Sequence, residues 1–139
     1  MVAARDQFTA LLPVMERVHG PEHPRTLLAR ENLAMWTGMA GDAAASRDQY
    51  AALVPVDERV HGPEHPLTLR ASGSLASVTG EAGDGAGARD QLAALLPVHE
   101  RILGAEHPHT LFVRGALRVW TGEPGMWQRP ATSSPRWCR

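Results

Sequence analysis

The sequence predicts an all-α fold, a solenoid built from about six antiparallel helices. The first observation is a stretch at 17–27 that returns at 59–69 and at 101–111, with a step of 42 residues each time. A fixed step of this size is typical of repeat arrays, in which each repeat packs on its neighbours. The second observation is that apolar residues recur at helical spacing in every copy. The third is that glycine and His-Pro pairs separate the helical segments.

Length and composition narrow the classes of function. The chain has 139 residues, enough for one domain, and 14 basic against 15 acidic residues give a net charge of −1. This balance does not favour nucleic acid or an anionic membrane as a partner. Because the single cysteine, Cys138, cannot form an internal disulfide and no signal-peptide or membrane-spanning pattern occurs, we expect a cytoplasmic protein. Residues 126–139 lack periodicity and are predicted to form a disordered tail.

Each copy contains a longer helix, named helix B here, and a shorter helix A that follows it. Helix B of the middle copy is predicted at about 43–61, with Asp42 as its N-cap and Gly62 at its C-terminal end. Pro55 lies inside this segment and predicts a kink, but its presence in all three copies favours a continuous helix. The predicted apolar face of this helix consists of Tyr50, Leu53, Val54, Val56 and Val60.

Helix A is predicted to begin at a proline. The amide at the first helical position makes no hydrogen bond within the helix, so proline, which has no amide hydrogen, is well suited there. The three prolines are Pro24, Pro66 and Pro108. The histidine before each proline is expected at or beside the N-cap, and the helices are expected to end near 37, 79 and 121. Helix A of the middle copy is predicted to be the weakest, because Gly73 costs ~1 kcal/mol relative to alanine.

These motifs resemble the tetratricopeptide repeat in its longer form, as found in kinesin light chain. The hinge Gly-Pro-Glu-His-Pro, the segment Asn32-Leu33-Ala34, and Gly41-Asp42 followed by Ser46 carry the resemblance. It implies a right-handed superhelix of antiparallel helix pairs. The segments Ala-Arg-Asp-Gln, Leu-Pro-Val and Trp-Thr-Gly are similar to repeat regions of actinobacterial proteins, where such arrays often follow a signalling ATPase domain. This chain has no phosphate-binding loop of that ATPase.

In the register of this family, the array covers residues 1–125. It divides into an unpaired helix B at 3–19, complete units at 24–61 and 66–103, and an unpaired helix A at 108–121. Apolar residues on the first helix, Phe8, Leu11 and Leu12, are expected to leave part of their surface exposed. The sequence therefore also predicts self-association through the ends of the array.

The resemblance further implies that the concave wall, formed by the A helices, holds an extended peptide or a partner helix. The residues predicted to bind a partner there are Leu28, Glu31, Asn32, Met35, Arg70, Ser74, Ser77, Phe112, Ala116 and Val119. The family often uses asparagines of helix A to hold the peptide backbone, but only Asn32 is retained, with Ser74 and Ala116 at the equivalent positions. An alternative interpretation is that these positions are simply the less buried side of the stack.

No catalytic, cofactor-binding or metal-binding residues are predicted. His19 and His23 are four residues apart, a spacing that suits a metal on one helix face, but Gly20 and Pro21 interrupt the helix between them. His99 is expected at a solvated position. We predict a non-enzymatic protein–protein interaction module, with a fragment of a larger regulatory protein as the alternative and a histidine-based metal enzyme as a third.

Overall fold

The computed structural model describes residues 2–122 and contains six α-helices joined by short hinges and turns. The helices are α1 (Val2–His19), α2 (Pro24–Met39), α3 (Ala43–His61), α4 (Pro66–Glu81), α5 (Gly85–Leu103) and α6 (Pro108–Trp120). The predicted tail at 126–139, including Cys138, lies outside the described residues.

The helices form two alternating classes that stack into a solenoid. Each helix packs on the next one in sequence, and α4 also contacts α6. The A helices (α2, α4 and α6) therefore lie side by side, and the B helices (α1, α3 and α5) lie behind them. No strand occurs in residues 2–122, so the all-α solenoid that the repeat predicted is confirmed.

Local capping explains where the helices begin and end. Asp42 accepts a hydrogen bond from the amide of Ala45 at 3.1 Å, and Asp84 accepts one from Gly87 at 2.8 Å. The predicted histidine caps are also present, because the Nδ1 atom of each histidine accepts a hydrogen bond from the backbone amide two residues further on. His65 accepts this bond from Leu67 at 3.1 Å. The glycines that end the B helices have positive φ, which favours glycine, and they are Gly20, Gly62 and Gly104.

The buried face of α3 differs in part from its prediction. Tyr50, Leu53 and Val54 are buried as predicted, but Val60 is exposed. Asp57, a charged residue, lies on the buried face instead and is 3% exposed. The helix itself continues through Pro55. The helical spacing of the apolar residues predicted which side of α3 is buried. It did not predict how far along α3 the contacts with the neighbouring helices extend.

Three fully buried threonines join each B helix to the A helix that follows. The hydroxyl of Thr68 donates to the carbonyl of Asp57 at 3.2 Å, and the hydroxyl of Thr110 donates to the carbonyl of His99 at 3.3 Å. Thr26 makes the equivalent bond to Met15 at 3.4 Å. The prediction that His99 is solvated is wrong, because its position lies inside this junction and is 0% exposed.

Small residues let the helices of the middle copy approach closely. A Cβ atom added to Gly73 would lie 3.2 Å from the Cγ2 atom of Val113 on α6. One added to Gly80 would overlap the ring of Trp120. The glycines that lower the helix propensity of α4 thus make room for α6, and α4 is a continuous helix with the most buried residues of the six.

Candidate functional site

The three A helices present the same face to one groove. On α2, Leu28, Glu31, Asn32 and Met35 follow the spacing that places residues along one side of a helix. Because the step of 42 residues preserves the register, α4 and α6 contribute the equivalent positions. The groove therefore crosses helices that are close in space but far apart in sequence.

All ten residues predicted to bind a partner line this groove. Its main cavity, of about 620 Å³, lies over α2 and α4 and extends to α6. A second cavity, of about 430 Å³, adjoins it at α6 and shares Ser77, Glu81 and Phe112 with it. Eight of the ten line the main cavity, namely Leu28, Glu31, Asn32, Met35, Arg70, Ser74, Ser77 and Phe112. Ala116 and Val119 line the second.

An ion pair crosses the groove floor from α4 to α2. The Nε and Nη2 atoms of Arg70 each donate to one carboxylate oxygen of Glu31, both at 2.6 Å. The side chains are partly buried, with 32% of Arg70 and 12% of Glu31 exposed. The carboxylate raises the pKa of Arg70 through these hydrogen bonds, so the arginine stays charged. The two charges offset each other, and the groove floor carries little net charge.

Glu81 adds an acidic group where the two cavities meet, and two other ionisable groups lining the groove are uncharged at neutral pH. Burial raises the pKa of Tyr50, which therefore keeps its hydroxyl proton. Burial also lowers the pKa of His109, with the nearby His107 acting in the same direction, so the ring is neutral at pH 7. Apolar side chains such as Met35, Val78 and Phe112 form much of the remaining wall. This combination suits an apolar segment that also offers hydrogen-bonding groups.

Sequence reasoning missed the contribution of the B helices to the groove. Ser46, Tyr50 and His99 reach it from behind the A helices. It also missed the pairing of Glu31 with Arg70, although a signal was present. At these two positions the other copies carry uncharged residues, and the spacing of 39 residues is close to one repeat, which brings them to adjacent A helices.

The repeated histidines lie at the hinges. The rings of His19 and His23 stack with centroids 4.8 Å apart, as do those of His61 and His65 at 4.7 Å. Among residues 2–122, no group of three or more His, Cys, Asp or Glu side chains could hold a metal ion. Within the same residues, no helix has the length and apolar character needed to cross a membrane.

Comparison with known proteins agrees with this architecture. The family model for the tetratricopeptide repeat matches two consecutive segments, 26–67 and 68–109. The chain belongs to the tetratricopeptide repeat family. Repeats of this family generally serve in protein–protein interaction. A search of curated proteins found no match.

Solved structures of tetratricopeptide repeat proteins share the fold. One is described as the nearly identical TPR-like repeats of a protein assigned as kinesin light chain from Podosopora anserina. It has a TM-score of 0.75 at 20% identity over 86% of this chain. A point variant of the same repeats has a TM-score of 0.76, also at 20% identity over 86% of this chain. The alignments cover 58% and 57% of those chains, so this chain spans less than two thirds of their length.

Proposed function

We propose that this tetratricopeptide array is a non-enzymatic binding module that holds an extended peptide or a partner helix in the groove of its A helices. One observation carries the proposal: a single open groove runs across α2, α4 and α6 and is lined by both apolar side chains and hydrogen-bonding groups. Its main cavity of about 620 Å³ falls within the range typical of ligand-binding clefts.

Exposed apolar residues at the groove rim support this proposal. Leu28, Met35, Met39 and Phe112 are 39–54% exposed although each lines the groove. Neighbouring apolar side chains that stay in water are a common property of interaction surfaces. Phe112 stands at the junction of the two cavities, where an aromatic side chain contributes strongly to binding.

A displayed library of random peptides tests the proposal, because selection on the chain does not require the partner to be identified first. Peptides selected on the wild-type chain are measured by calorimetry against Asn32→Ala and Phe112→Ala, with Gln91→Ala on the exposed surface of α5 as the matched control. We expect each groove variant to weaken binding at least about tenfold and the control to leave it unchanged. Selected peptides that bind all four chains equally would contradict the groove assignment.

Arg70 is less suitable than Asn32 for this test. Its side chain is bonded to Glu31, and a reversal of its charge would place two carboxylates together in a partly buried site. Arg70→Glu would therefore alter the fold of the groove as well as its surface. Asn32 and Phe112 can be shortened without breaking such a pair.

A further inference from the structure

The first helix exposes a face that the equivalent helices bury. Leu11 is 45% exposed, whereas Leu53, its equivalent on α3, is 1% exposed. The cause is the position of each helix in the stack. Helix α3 packs between α2 and α4, and α5 packs between α4 and α6, but α1 packs on α2. No residue of α1 is buried in the described structure. Within residues 2–122, no A helix covers the side of α1 that corresponds to the covered sides of α3 and α5.

A series of ion pairs along the hinges indicates what would cover this side. Glu22 pairs with Arg59, and Glu64 pairs with Arg101, each joining one hinge to the end of the next B helix. The carboxylate of Glu64 has a lowered pKa because of its hydrogen bond to Arg101. Arg17 occupies the same repeat position as these two arginines, and none of the ion pairs within residues 2–122 involves it. The matching partner would be a hinge glutamate that precedes another A helix.

The A helix at the other end of this array does not supply the required surface. Where an A helix meets the following B helix, Ala34 and Ala76 are both 0% exposed. Ser46 reaches the carbonyl of Ala34 at 2.7 Å, so the two helices are in close contact at this point. The equivalent residue of α6 is Arg118, which is exposed. A B helix that approached α6 in the same way would meet an arginine where only a methyl group fits.

We propose that the exposed face of α1 docks the end of another tetratricopeptide array, one whose last A helix carries alanine at the position of Arg118 and follows a hinge glutamate that pairs with Arg17. The docked helix would continue the contact that α2 makes with α3 and α4 makes with α5. Arg118 in turn keeps copies of this chain from stacking head to tail, so the self-association predicted from the sequence is not expected through this contact. The proposal concerns a different surface from the groove and does not depend on peptide binding.

The chain itself provides a probe for this surface. Arg118→Ala gives α6 the small residue that the partner must have, while Glu106 already lies at the position of Glu22 and Glu64. A second change in the probe, Leu11→Glu, closes its own α1 face, so that it can dock on wild type but not on itself. Sedimentation velocity of the probe mixed with wild type is then the measurement, with each chain contributing 15.0 kDa.

We expect wild type and probe to be monomeric alone and to form a 1:1 complex when mixed. Glu106→Arg in the probe should weaken this complex at least about tenfold, and Arg17→Glu in the wild-type partner should restore it. The matched control is a probe that keeps Arg118, which should not bind. Circular dichroism establishes that every variant is folded.

Two results would overturn the proposal. The first is a mixture that remains monomeric up to about 100 µM, which would mean that α1 does not accept a helix of this kind. The second is a wild-type dimer that Leu11→Glu dissociates, which would mean that a second copy of the chain covers α1 directly. Failure of either kind leaves the groove proposal untouched, because no groove residue differs between probe and wild type.

Discussion

One repeat position holds three residues of different chemistry. Met15, Asp57 and His99 occupy equivalent places beside the threonine that joins each B helix to the next A helix. His99 is fully buried and donates from Nδ1 to the carbonyl of Leu95 at 3.0 Å. Asp57 is 3% exposed and carries a carboxylate, the group least suited to such a place. The buried carboxylate of Asp57 therefore destabilises the fold in the middle of the array.

Burial raises the pKa of Asp57 to about 6, and repulsion from Glu31 adds to the shift. A carboxylic acid whose pKa is higher in the folded than in the unfolded state stabilises the fold only while it is protonated. The contribution is complete below the unfolded pKa of 3.8 and is lost as the pH rises through about 6. At neutral pH the folded chain carries an ionised Asp57 at a cost in free energy.

Asp57→Asn should stabilise the protein at pH 7, because the amide keeps the shape of the side chain and carries no charge. We expect the free energy of unfolding to rise by up to about 3 kcal/mol at pH 7 and to change little near pH 4. Urea denaturation at both pH values gives the measurement. Asp48→Asn, on the exposed side of the same helix, is the control and should shift stability by less than about 0.5 kcal/mol at either pH.

An equal gain at pH 4 and pH 7 would show that ionisation of Asp57 is not the cause. A loss of stability at both pH values would show that the carboxylate is bonded in a way that the amide cannot reproduce. Either result would also revise the account of the neighbouring Glu31–Arg70 pair, because Arg70 opposes the shift in the pKa of Asp57.

Local signals in the sequence were sufficient for some residues and not for others. The caps at Asp42 and His65 were predictable because the bonded amides lie two or three residues away. The burial of Asp57 and His99 was not, since it depends on contact with the neighbouring helices. The face of the A helices was predictable from register, because a fixed step keeps equivalent residues on the same side. Predicting the Glu31–Arg70 pair would have required the position of α4 relative to α2 along the helix axes, which the spacing in the sequence alone does not give.

At the scale of helices, close packing outweighs helix propensity in α4. Gly80 lies near the end of α4, where the ring of Trp120 from α6 rests against its backbone. Glycine lowers helix stability by about 1 kcal/mol relative to alanine, so alanine would ordinarily be the better residue. Here a Cβ atom would occupy the same space as the indole ring, and the ring would have to leave its place between the helices.

Gly80→Ala should therefore destabilise the array. Overpacking of this kind typically costs about 1–3 kcal/mol, which exceeds the gain in helix propensity, so we expect a net loss of about 1–2 kcal/mol. Urea denaturation followed by circular dichroism measures the loss. Gly115→Ala on α6 is the matched control, because no atom of residues 2–122 lies within 4 Å of the added Cβ atom. It should raise stability by up to about 1 kcal/mol.

A stable Gly80→Ala variant would mean that Trp120 moves aside at little cost. The tryptophan would then contribute less to the contact between α4 and α6 than its position implies. Double substitution with Trp120→Ala distinguishes the cases, since the penalty at Gly80 should largely disappear when the ring is absent.

At the scale of the whole molecule, the stability of each helix depends on its neighbours, because a repeat array has no single central core. Helix α4 contributes eight buried residues and contacts four helices: α3, α5, α6 and, through the Glu31–Arg70 pair, α2. Helix α1 contributes none and packs on α2. The order of the helices was predictable from the 42-residue step. The gradient in burial from α4 to α1 was not, because it depends on which faces of each helix are covered by other helices.

Hydrogen exchange measured by mass spectrometry should reveal the gradient. We expect amides in the middle of α4 to exchange only through opening of the whole array and those of α1 to exchange at least about tenfold faster, through local opening. Leu11→Glu should leave this order unchanged, because the side chain of Leu11 already lies partly in water. Equal protection of α1 and α4 in dilute solution would show that the array unfolds as one unit or that another chain covers α1. Dilution separates these two explanations, since only a contact between chains weakens as the concentration falls.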